Sequence, residues 1–431
     1  MTIPPLESRS KEDILNHQLA ELKKLLCYVG EKSPFYKRHF EQHKIDISSI
    51  NSIEALGTIP PTDKSHLQKY QRDFWCVSPE EIIEYCNTSG TEGVAVTIPL
   101  TEKDLKRLTY NEAISLACTG GDRNELYQLT TTLDRQFMAG LAYTLGAREL
   151  GAGMVRVGPG LPQLQWKTIQ EIKPTALIIV PSFLVKLIEY AEAEGIDYKN
   201  SSVKKAICIG EPIRKSDLSL NALGEKITDK WGIELYSTYA STEMAAAFTE
   251  CSIGKGGHLH PELLIAEVLD EHDKPVPAGT VGELTITTLG VEAVPLVRFK
   301  TGDMCAILDE QCPCGRNTPR VSPVLGRKNQ LIKYKGTTCY PPAIFDLLDN
   351  DDSISHYQVL ATADEYGNDE LTVLYSTVSN YERKRLADKF RALLRVTPAL
   401  VERSEAEILQ LIYPKTSRKP VKFVDKRQQK A

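Results

Sequence analysis

Long hydrophobic runs are missing from this sequence. No segment approaches the roughly 20 apolar residues that a membrane-spanning helix needs. The first residues, MTIPPLESRSKEDILNHQ, carry acidic side chains where a secretory signal has an apolar stretch. We therefore expect a cytoplasmic protein with no membrane partner.

Charge of one sign is also scarce. The chain has 52 Lys and Arg against 57 Asp and Glu, for a net charge of -5, and the two signs are mixed along its length. Nucleic-acid-binding proteins need a positive patch or stripe. We expect no nucleic-acid partner.

Cysteine is sparse, with ten residues in 431. That density is too low for the disulfide framework of a small secreted domain, so most of these thiols should be buried and reduced. The 42% hydrophobic content over this length provides for a large core and favours two or more domains.

The first two thirds of the chain alternate between helical and strand patterns. A helix is predicted after Ser10 and Asp13, which can cap it, because apolar residues then recur every three or four positions: Leu15, Leu19, Leu22, Leu26 and Val29. Buried strands are predicted at Ala176 to Val180 and within KKAICIGEP. Strands that alternate with helices predict a parallel sheet covered on both faces.

The pattern changes twice towards the carboxyl end. From Val268 short strands are separated by turn signals, such as the loop from Lys274 to Gly279. After VLGRKNQLIKYKG, helices and strands alternate again over about a hundred residues. We predict an α/β protein with a large N-terminal domain, residues 1–326, containing parallel sheets and a β-rich subregion, and a small α+β C-terminal domain, residues 327–431.

One loop, in the stretch CNTSGTEGVAVTIPLT, concentrates small and hydroxylated residues. Backbone N–H groups can converge on a phosphate where glycines leave room, and hydroxyls add donors. The loop lacks the Gly-Lys-Ser/Thr ending of the common P-loop. By itself it is more typical of an ordinary turn.

Four further motifs follow in order: YASTE at Tyr239 to Glu243, FKTGD at Phe299 to Asp303, GRKNQLIKYKG at Gly326 to Gly336, and YPKTSRKPVKFVDKR near the end. With TSGTEG, they resemble the adenylate-forming superfamily of acyl-CoA synthetases, luciferases and adenylation domains. The segments SPFYKRHF, IPPTDKSHL and FVDKR look most like the phenylacetate-CoA ligase branch.

This resemblance implies a two-step reaction. ATP and an aromatic, phenylacetate-like acid would give an acyl-adenylate and pyrophosphate, and the acyl group would then pass to coenzyme A to give an aryl-CoA thioester and AMP. The alternative acceptor is the phosphopantetheine of a carrier protein. A third class, a non-catalytic nucleotide-binding relative, is disfavoured by the intact Glu243, Asp303 and Lys419. A homodimer is left open.

The resemblance also implies roles for individual residues. The phosphate loop would comprise Thr88, Ser89, Gly90, Thr91, Glu92 and Gly93, and the adenine pocket Gly210, Glu211, Pro212 and Tyr239. Ala240 and Ser241 would also bind the nucleotide. Thr242 would contact the α-phosphate, Glu243 would bind Mg²⁺, and Asp303 would accept the ribose hydroxyls, with Arg327 and Lys333 as further nucleotide contacts.

Two departures from the family pattern stand out. Val94, Ala95 and Val96 occupy the positions after Gly93 where the family often has a lysine, so a cation for the outer phosphates would come from elsewhere or be absent. The catalytic lysine is assigned to Lys419, although Arg418 replaces the usual glycine before it, and Lys415 and Lys422 are rivals. Asn329 is assigned as the hinge about which the small domain rotates.

A separate set of residues has metal-ligand chemistry. Cys251, His258, Cys312 and Cys314 lie in two glycine-rich loops, ECSIGKGGHLHPE and EQCPCGR. Three thiolates and an imidazole suit a structural, tetrahedral Zn²⁺ with no open position. His260 is an alternative ligand, and two reduced loops without metal are the alternative interpretation.

The acid itself is the least constrained part. TTLDRQFMAGLAY contains Phe137 and Tyr143, and the small side chains after Glu243 include Ala245, so a flat aromatic ring would fit between them. The same residues are equally compatible with helix packing in the core.

Overall fold

The computed structural model describes residues 3–88, 95–335, 337–365, 367–378, 383–414 and 420–427. The chain divides into two units. The larger unit comprises Met1–Leu220 and Gly224–Pro323, and the smaller unit comprises Asn221–Leu223 and Val324–Ala431.

Five of the helices, α1, α2, α3, α4 and α11, begin after residues whose side chains cap them. Ser10 accepts the backbone N–H of Asp13 at 3.1 Å at the start of α1, and Asp63 accepts those of Ser65 and His66 at the start of α3. In chain order, α1 to α11 are Lys11–Lys32, Pro34–Gln42, Lys64–Tyr70, Glu102–Cys118, Met138–Leu150, Pro162–Ile172, Pro181–Ala193, Ala222–Trp231, Pro341–Asp349, Arg383–Leu394 and Glu405–Ile412.

The strands are short. In chain order, β1 to β22 are Thr62–Asp63, Glu84–Asn87, Thr97–Leu100, Leu126–Leu129, Gly153–Arg156, Ala176–Ile179, Lys205–Cys208, Glu234–Ser241, Ala246–Thr249, Gly257–His258, Leu264–Leu269, Gly282–Thr288, Phe299–Cys305, Ile307–Leu308, Arg320–Val321, Gly326–Arg327, Ile332–Tyr334, Thr337–Cys339, Ile354–Ala363, Asp369–Thr377, Ala399–Glu402 and Phe423–Asp425.

The main sheet of the larger unit has six strands in the order β5-β4-β6-β7-β8-β9. The first five are parallel and β9 is antiparallel to β8. Every residue of β6 is buried, as expected for a strand covered on both faces. The predicted α/β fold with a parallel sheet is confirmed.

A second sheet contains the β-rich region predicted from Val268. Its strands run in the order β1-β13-β12-β11, where β1 is parallel to β13 and the others are antiparallel. A small sheet, β10-β15-β14, and the hairpin β2-β3 lie in the same unit. Helix α4 packs against both α5 and β9.

The smaller unit has its own sheet in the order β21-β20-β19-β22 and the hairpin β17-β18. Its core includes Ile344, Val359, Val373, Leu386 and Phe390, which are fully buried. This is the α+β pattern that the sequence predicts. None of the helices in the described ranges is long and apolar enough to cross a bilayer.

Candidate active site

Strand β8 ends at the residues predicted to bind the nucleotide. The hydroxyl of Tyr239 donates to Oδ2 of Asp303 on β13 at 2.7 Å. Burial and the Asp303 carboxylate raise the pKa of Tyr239 well above its ordinary value, so the phenol keeps its proton. The predicted adenine residue and the predicted ribose residue are therefore neighbours, although 64 positions separate them.

A tight turn follows β8 and carries Thr242 and Glu243. Ser241 Oγ accepts the N–H of Met244 and the Thr242 carbonyl accepts the N–H of Ala245, both at 3.3 Å. Ala245 has a φ of +46°, which is rare for a residue with a side chain. Ala240, also predicted at the nucleotide, is exposed at the end of β8.

The Glu243 carboxylate has a cationic partner. Nζ of Lys64, at the start of α3, lies 3.3 Å from Glu243 Oε1, and the two side chains are only 17% and 12% exposed. Screening by water is weak for so shielded a pair. A cation that the phosphate loop itself lacks thus lies beside the predicted Mg²⁺ ligand.

Gly210, Glu211 and Pro212 follow the carboxyl end of β7, the edge of a parallel sheet where ligands bind in α/β folds. Glu211 is held there by Ser182, whose N–H and hydroxyl each donate to its carboxylate at 2.9 Å. Gly210 has a φ of +74°. The backbone therefore turns sharply beside the site, as a glycine permits.

The phosphate loop is described only at its base. Thr88 and Val96 exchange hydrogen bonds of 3.0 Å, since Thr88 N–H donates to the Val96 carbonyl and Val96 N–H donates to Thr88 Oγ1. The hairpin β2-β3 thus closes the loop. Ser89, Gly90, Thr91, Glu92 and Gly93 lie outside the described residues.

In the smaller unit, the predicted hinge residue Asn329 lies in the 3-10 turn Lys328–Gln330. Arg427 holds this segment, because its guanidinium donates to the carbonyls of Asn329 at 2.9 Å and Leu331 at 2.6 Å. Arg327 ends β16, and Lys333 is exposed on β17. These placements do not test their predicted roles.

Of the three lysines considered for catalysis, Lys415 and Lys419 lie outside the described residues. Lys422 is engaged within the smaller unit, where its Nζ lies 3.1 Å from Asp349 Oδ1 and 2.9 Å from the Tyr357 hydroxyl. Its structural partners argue for a role in the fold of that unit.

The residues predicted for the acid pocket lie in different surroundings. Phe137 is the N-cap of α5, and Tyr143 is buried within α5 next to Thr238. Ala245 lines a cavity beside Glu243 that also includes Leu100, Arg107 and Val294. Of the three residues predicted for the acid pocket, only Ala245 is among the residues that line this cavity.

The predicted metal ligands come together. The ligand atoms of Cys251, His258, Cys312 and Cys314 all lie within 4.8 Å of one another. Sγ of Cys251 is 3.6 Å from Sγ of Cys312, and His258 Nε2 is 3.4 Å from Cys314 Sγ. A tetrahedral zinc with bonds of about 2.3 Å places its sulfur ligands about 3.8 Å apart, so the donor set fits this ion.

The pKa shifts of His258 and Cys314 suit a cation, whereas burial raises the pKa of the Cys251 thiol to about 12. Burial lowers the pKa of His258 to about 3, so its imidazole is neutral, and Nδ1 lies 3.1 Å from Thr318 Oγ1, which orients the ring. Burial alone would raise the pKa of Cys314, but the N–H and guanidinium of Arg316 outweigh it and lower the pKa of this thiol.

His260, the alternative ligand, has other partners. Its Nδ1 lies 2.6 Å from Oε1 of Glu7, whose second oxygen accepts from Arg316 Nε at 2.7 Å. Both His260 and Glu7 are fully buried. The structure therefore places His258, and not His260, among the cysteines.

Sequence reasoning missed three positions near these sites. Lys64 lies within IPPTDKSHL, a segment that signalled the family without a role for its lysine. Arg427 lies in the closing DKR, where no sequence pattern assigned a role to it. Arg107, which contacts the carbonyl of Ala245, reads as the exposed face of a helix.

The class that the fold and these sites define is that of the adenylate-forming enzymes, with a parallel sheet, a β-rich sheet and a small α+β unit. The model of the AMP-binding enzyme family matches residues 3–292, and the chain belongs to this family. The resemblance stated from the motifs is confirmed.

Individual relatives agree. A phenylacetate-coenzyme A ligase of Thermus thermophilus is 30% identical over 363 residues, which cover 83% of this chain and 80% of the relative. A phenylacetate-coenzyme A ligase of Escherichia coli strain K12 is 26% identical over 83% of this chain and 81% of the relative. The predicted enzyme class, an AMP-forming ligase, is confirmed by these relatives.

A solved structure shows the same fold. It is 2-hydroxyisobutyryl-CoA ligase in its postadenylation state in complex with R3-HIB-AMP, with a TM-score of 0.84 and 21% identity over 98% of this chain and 94% of that one.

Proposed function

We propose that this protein activates an aromatic, phenylacetate-like carboxylic acid with ATP and transfers the acyl group to coenzyme A. The observation that carries the proposal is the end of β8. There Tyr239 binds Asp303 at 2.7 Å, and four residues later Glu243 pairs with Lys64 at 3.3 Å. Groups suited to a nucleoside and groups suited to phosphates thus adjoin at the end of one strand and the turn that follows it.

Adenylation requires two anions to meet. A carboxylate oxygen attacks the α-phosphorus of ATP, the new acyl-phosphate bond forms, and the bond to pyrophosphate breaks. Charges and N–H donors fixed in place before the reaction lower this barrier most. Lys64 would offset phosphate charge, and Glu243 would hold Mg²⁺, since a hard cation prefers carboxylate oxygens. The ion would supply further positive charge against the phosphates.

Asp303 is suited to the ribose. Its side chain is buried to 7% exposure, and it accepts from Tyr239 through one oxygen. The hydrogen bond from Tyr239 fixes the orientation of the Asp303 carboxylate. The aromatic ring of Tyr239 would offer one face on which the adenine base stacks. The same pair would therefore position both parts of the nucleoside.

In the second step, the thiol of coenzyme A attacks the acyl carbon, the thioester bond forms, and AMP leaves with the electrons of the broken acyl-phosphate bond. We assign Lys419 to the first step and Asn329 to the rotation between the steps, as the family pattern implies. Thioester formation with coenzyme A is also the activity named for the relatives in Thermus thermophilus and Escherichia coli.

The cluster of Cys251, His258, Cys312 and Cys314 would hold a structural Zn²⁺. Four protein ligands leave no position for a substrate, so the ion would stabilise the fold and take no part in the reaction. The ligands join the turn after β9, strand β10 and the loop before β15.

ATP–pyrophosphate exchange on a panel of aromatic and aliphatic acids tests the function. We expect exchange with phenylacetate-like acids that requires Mg²⁺, and formation of a thioester when coenzyme A is added. Glu243→Gln should abolish Mg²⁺-dependent exchange in a folded protein. Glu234→Gln, an exposed residue at the opposite end of β8, is the matched control and should retain activity.

The outcomes separate the alternatives. Exchange without thioester formation would indicate that coenzyme A is not the acceptor, and loading of a carrier protein's phosphopantetheine would then be measured directly. Exchange with short aliphatic acids alone would contradict the aromatic assignment. No exchange with any acid, in folded protein that binds ATP, would contradict the enzyme proposal.

A further inference from the structure

Arg107 is a buried cation whose hydrogen bonds, within the described part of the chain, all go to backbone carbonyls. It lies on α4 with 8% of its surface exposed. Its Nε donates to the carbonyl of Leu289 at 2.8 Å, Nη1 to that of Ala245 at 2.8 Å, and Nη2 to that of Leu263 at 2.6 Å. Burial of a charge is costly unless hydrogen bonds compensate it, and here three do.

The acceptor of Nη1, the Ala245 carbonyl, ends the turn that carries Glu243. Ala245 has the unfavourable φ of +46°, and its N–H closes the turn on the Thr242 carbonyl at 3.3 Å. A left-handed conformation is unfavourable for a non-glycine residue and persists only when its surroundings hold it. The bond from Arg107 to the Ala245 carbonyl is such a restraint, two residues from the carboxylate of Glu243.

The other two acceptors lie at the β-rich sheet. Leu263 immediately precedes β11 and Leu289 immediately follows β12. Their backbones are joined directly, because Leu289 N–H donates to the Leu263 carbonyl at 2.7 Å. Strand β12 is paired with β13, which carries Asp303.

One guanidinium thus connects the turn of Glu243 to the sheet of Asp303. The Tyr239–Asp303 hydrogen bond is a second connection, because Tyr239 lies on β8 of the main sheet and Asp303 lies on β13 of the β-rich sheet. With both in place, the phosphate end and the ribose end of the nucleotide site are held at one separation.

We propose that Arg107 is a positioning residue for adenylation, which sets the turn of Glu243 against the β-rich sheet so that the Mg²⁺ ligand meets the nucleotide's phosphates. This inference rests on the proposed function. A lysine could not replace the three bonds, since its ammonium is a point charge on a flexible stem and lacks the rigid fork of a guanidinium.

The test compares Arg107→Met and Arg107→Lys with the parent protein in ATP–pyrophosphate exchange, with free Mg²⁺ as the titrated variable. We expect Arg107→Met to raise the Mg²⁺ concentration for half-maximal rate by about 10–100-fold, the usual effect of losing support behind a metal ligand. Arg107→Lys should recover part of this loss because it retains one bond and the charge.

Arg320→Met is the matched control. Arg320 is also buried, and its guanidinium also donates to two backbone carbonyls, those of Lys255 at 2.7 Å and Glu310 at 3.0 Å. It should lower the melting temperature and leave the Mg²⁺ requirement of the folded protein unchanged. Thermal melts of all variants separate folding from positioning.

An unchanged Mg²⁺ requirement in folded Arg107→Met or Arg107→Lys would overturn the inference, as would the same shift in Arg320→Met. Failure of both Arg107 variants to fold would assign the residue to stability alone and overturn it as well. No exchange by the parent protein with any acid would instead contradict the proposed function.

Discussion

Glu112 is a nearly buried carboxyl group, one of whose oxygens has no hydrogen-bond partner in the described part of the chain. It lies on α4 with 3% of its surface exposed, and its Oε2 has no partner among the described residues. Helix α5 leaves no spare room beside it, because a Cβ added at Gly146 would lie 2.3 Å from Glu112 Cβ. Burial raises the pKa of Glu112 from 4.5 to about 8.

This raised pKa makes stability depend on pH with a definite sign. Between pH 4.5 and 8 the folded state holds a proton that the unfolded state releases, so stability falls as pH rises through this range. Each unit of difference between the folded and unfolded pKa values corresponds to about 1.4 kcal/mol. The folded state is therefore penalised by on the order of 5 kcal/mol above pH 8, and the unfolding free energy changes by about 2–3 kcal/mol between pH 5 and 7.

Glu112→Gln removes the titration and keeps the shape. Relative to the parent protein, we expect the variant to gain about 2–3 kcal/mol in unfolding free energy between pH 5 and 7. Urea unfolding followed by tryptophan fluorescence measures this in the right part of the molecule, because Trp75, Trp166 and Trp231 all lie in the larger unit.

The comparison uses the change in unfolding free energy with pH. Any cost of burying the amide that does not depend on pH therefore cancels. Glu149→Gln, an exposed residue on α5, changes the formal charge equally and should give a curve parallel to that of the parent. Parallel curves for Glu112→Gln as well would refute the reasoning, because they would mean that Glu112 has similar pKa values in both states.

Three further predictions concern the sites. Lys64→Met should slow ATP–pyrophosphate exchange by about 10²–10³-fold, the effect of losing one electrostatic stabiliser, while Lys69→Met on the exposed side of α3 should not; equal rates would remove Lys64 from the phosphate site. Metal analysis should find one zinc per chain, and Cys312→Ser should lose it and melt at a lower temperature because metal binding energy is folding energy. A parent protein without zinc, with a Cys312→Ser variant that melts at the same temperature as the parent, would contradict this. Lys419→Ala should lower adenylate formation by about 10²–10³-fold and leave transfer from a prepared acyl-adenylate to coenzyme A near normal, whereas equal loss in both steps would give Lys419 a general role in the small domain.

Local patterns in the sequence were enough for much of the fold. The strand at Ala176–Ile179 and the helix Lys11–Lys32 were predictable because apolar spacing determines which face of an element is buried. The parallel sheet and the β-rich region are observed. The domain boundary between residues 326 and 327 stays a prediction. Ordered motifs identified the family because each combines several chemically constrained positions.

The metal cluster shows where sequence and structure divide. Thiols and an imidazole in two loops, together with the resemblance to a branch that has a similar set, predicted the donor set. The choice between His258 and His260 depended on Glu7, which comes from the other end of the chain and occupies Nδ1 of His260. No spacing within the loop contains that information.

The sequence by itself determined the family, the order of the motifs and the residue types available for chemistry. The tertiary structure decided that Lys64 meets Glu243 and that Arg107 reaches three carbonyls. Side chains carry a chemical signature that a sequence displays, but a backbone carbonyl is the same in every residue. Which three of them converge on one guanidinium is decided only when α4 packs against β9 and its Arg107 reaches the residues that flank β11 and β12.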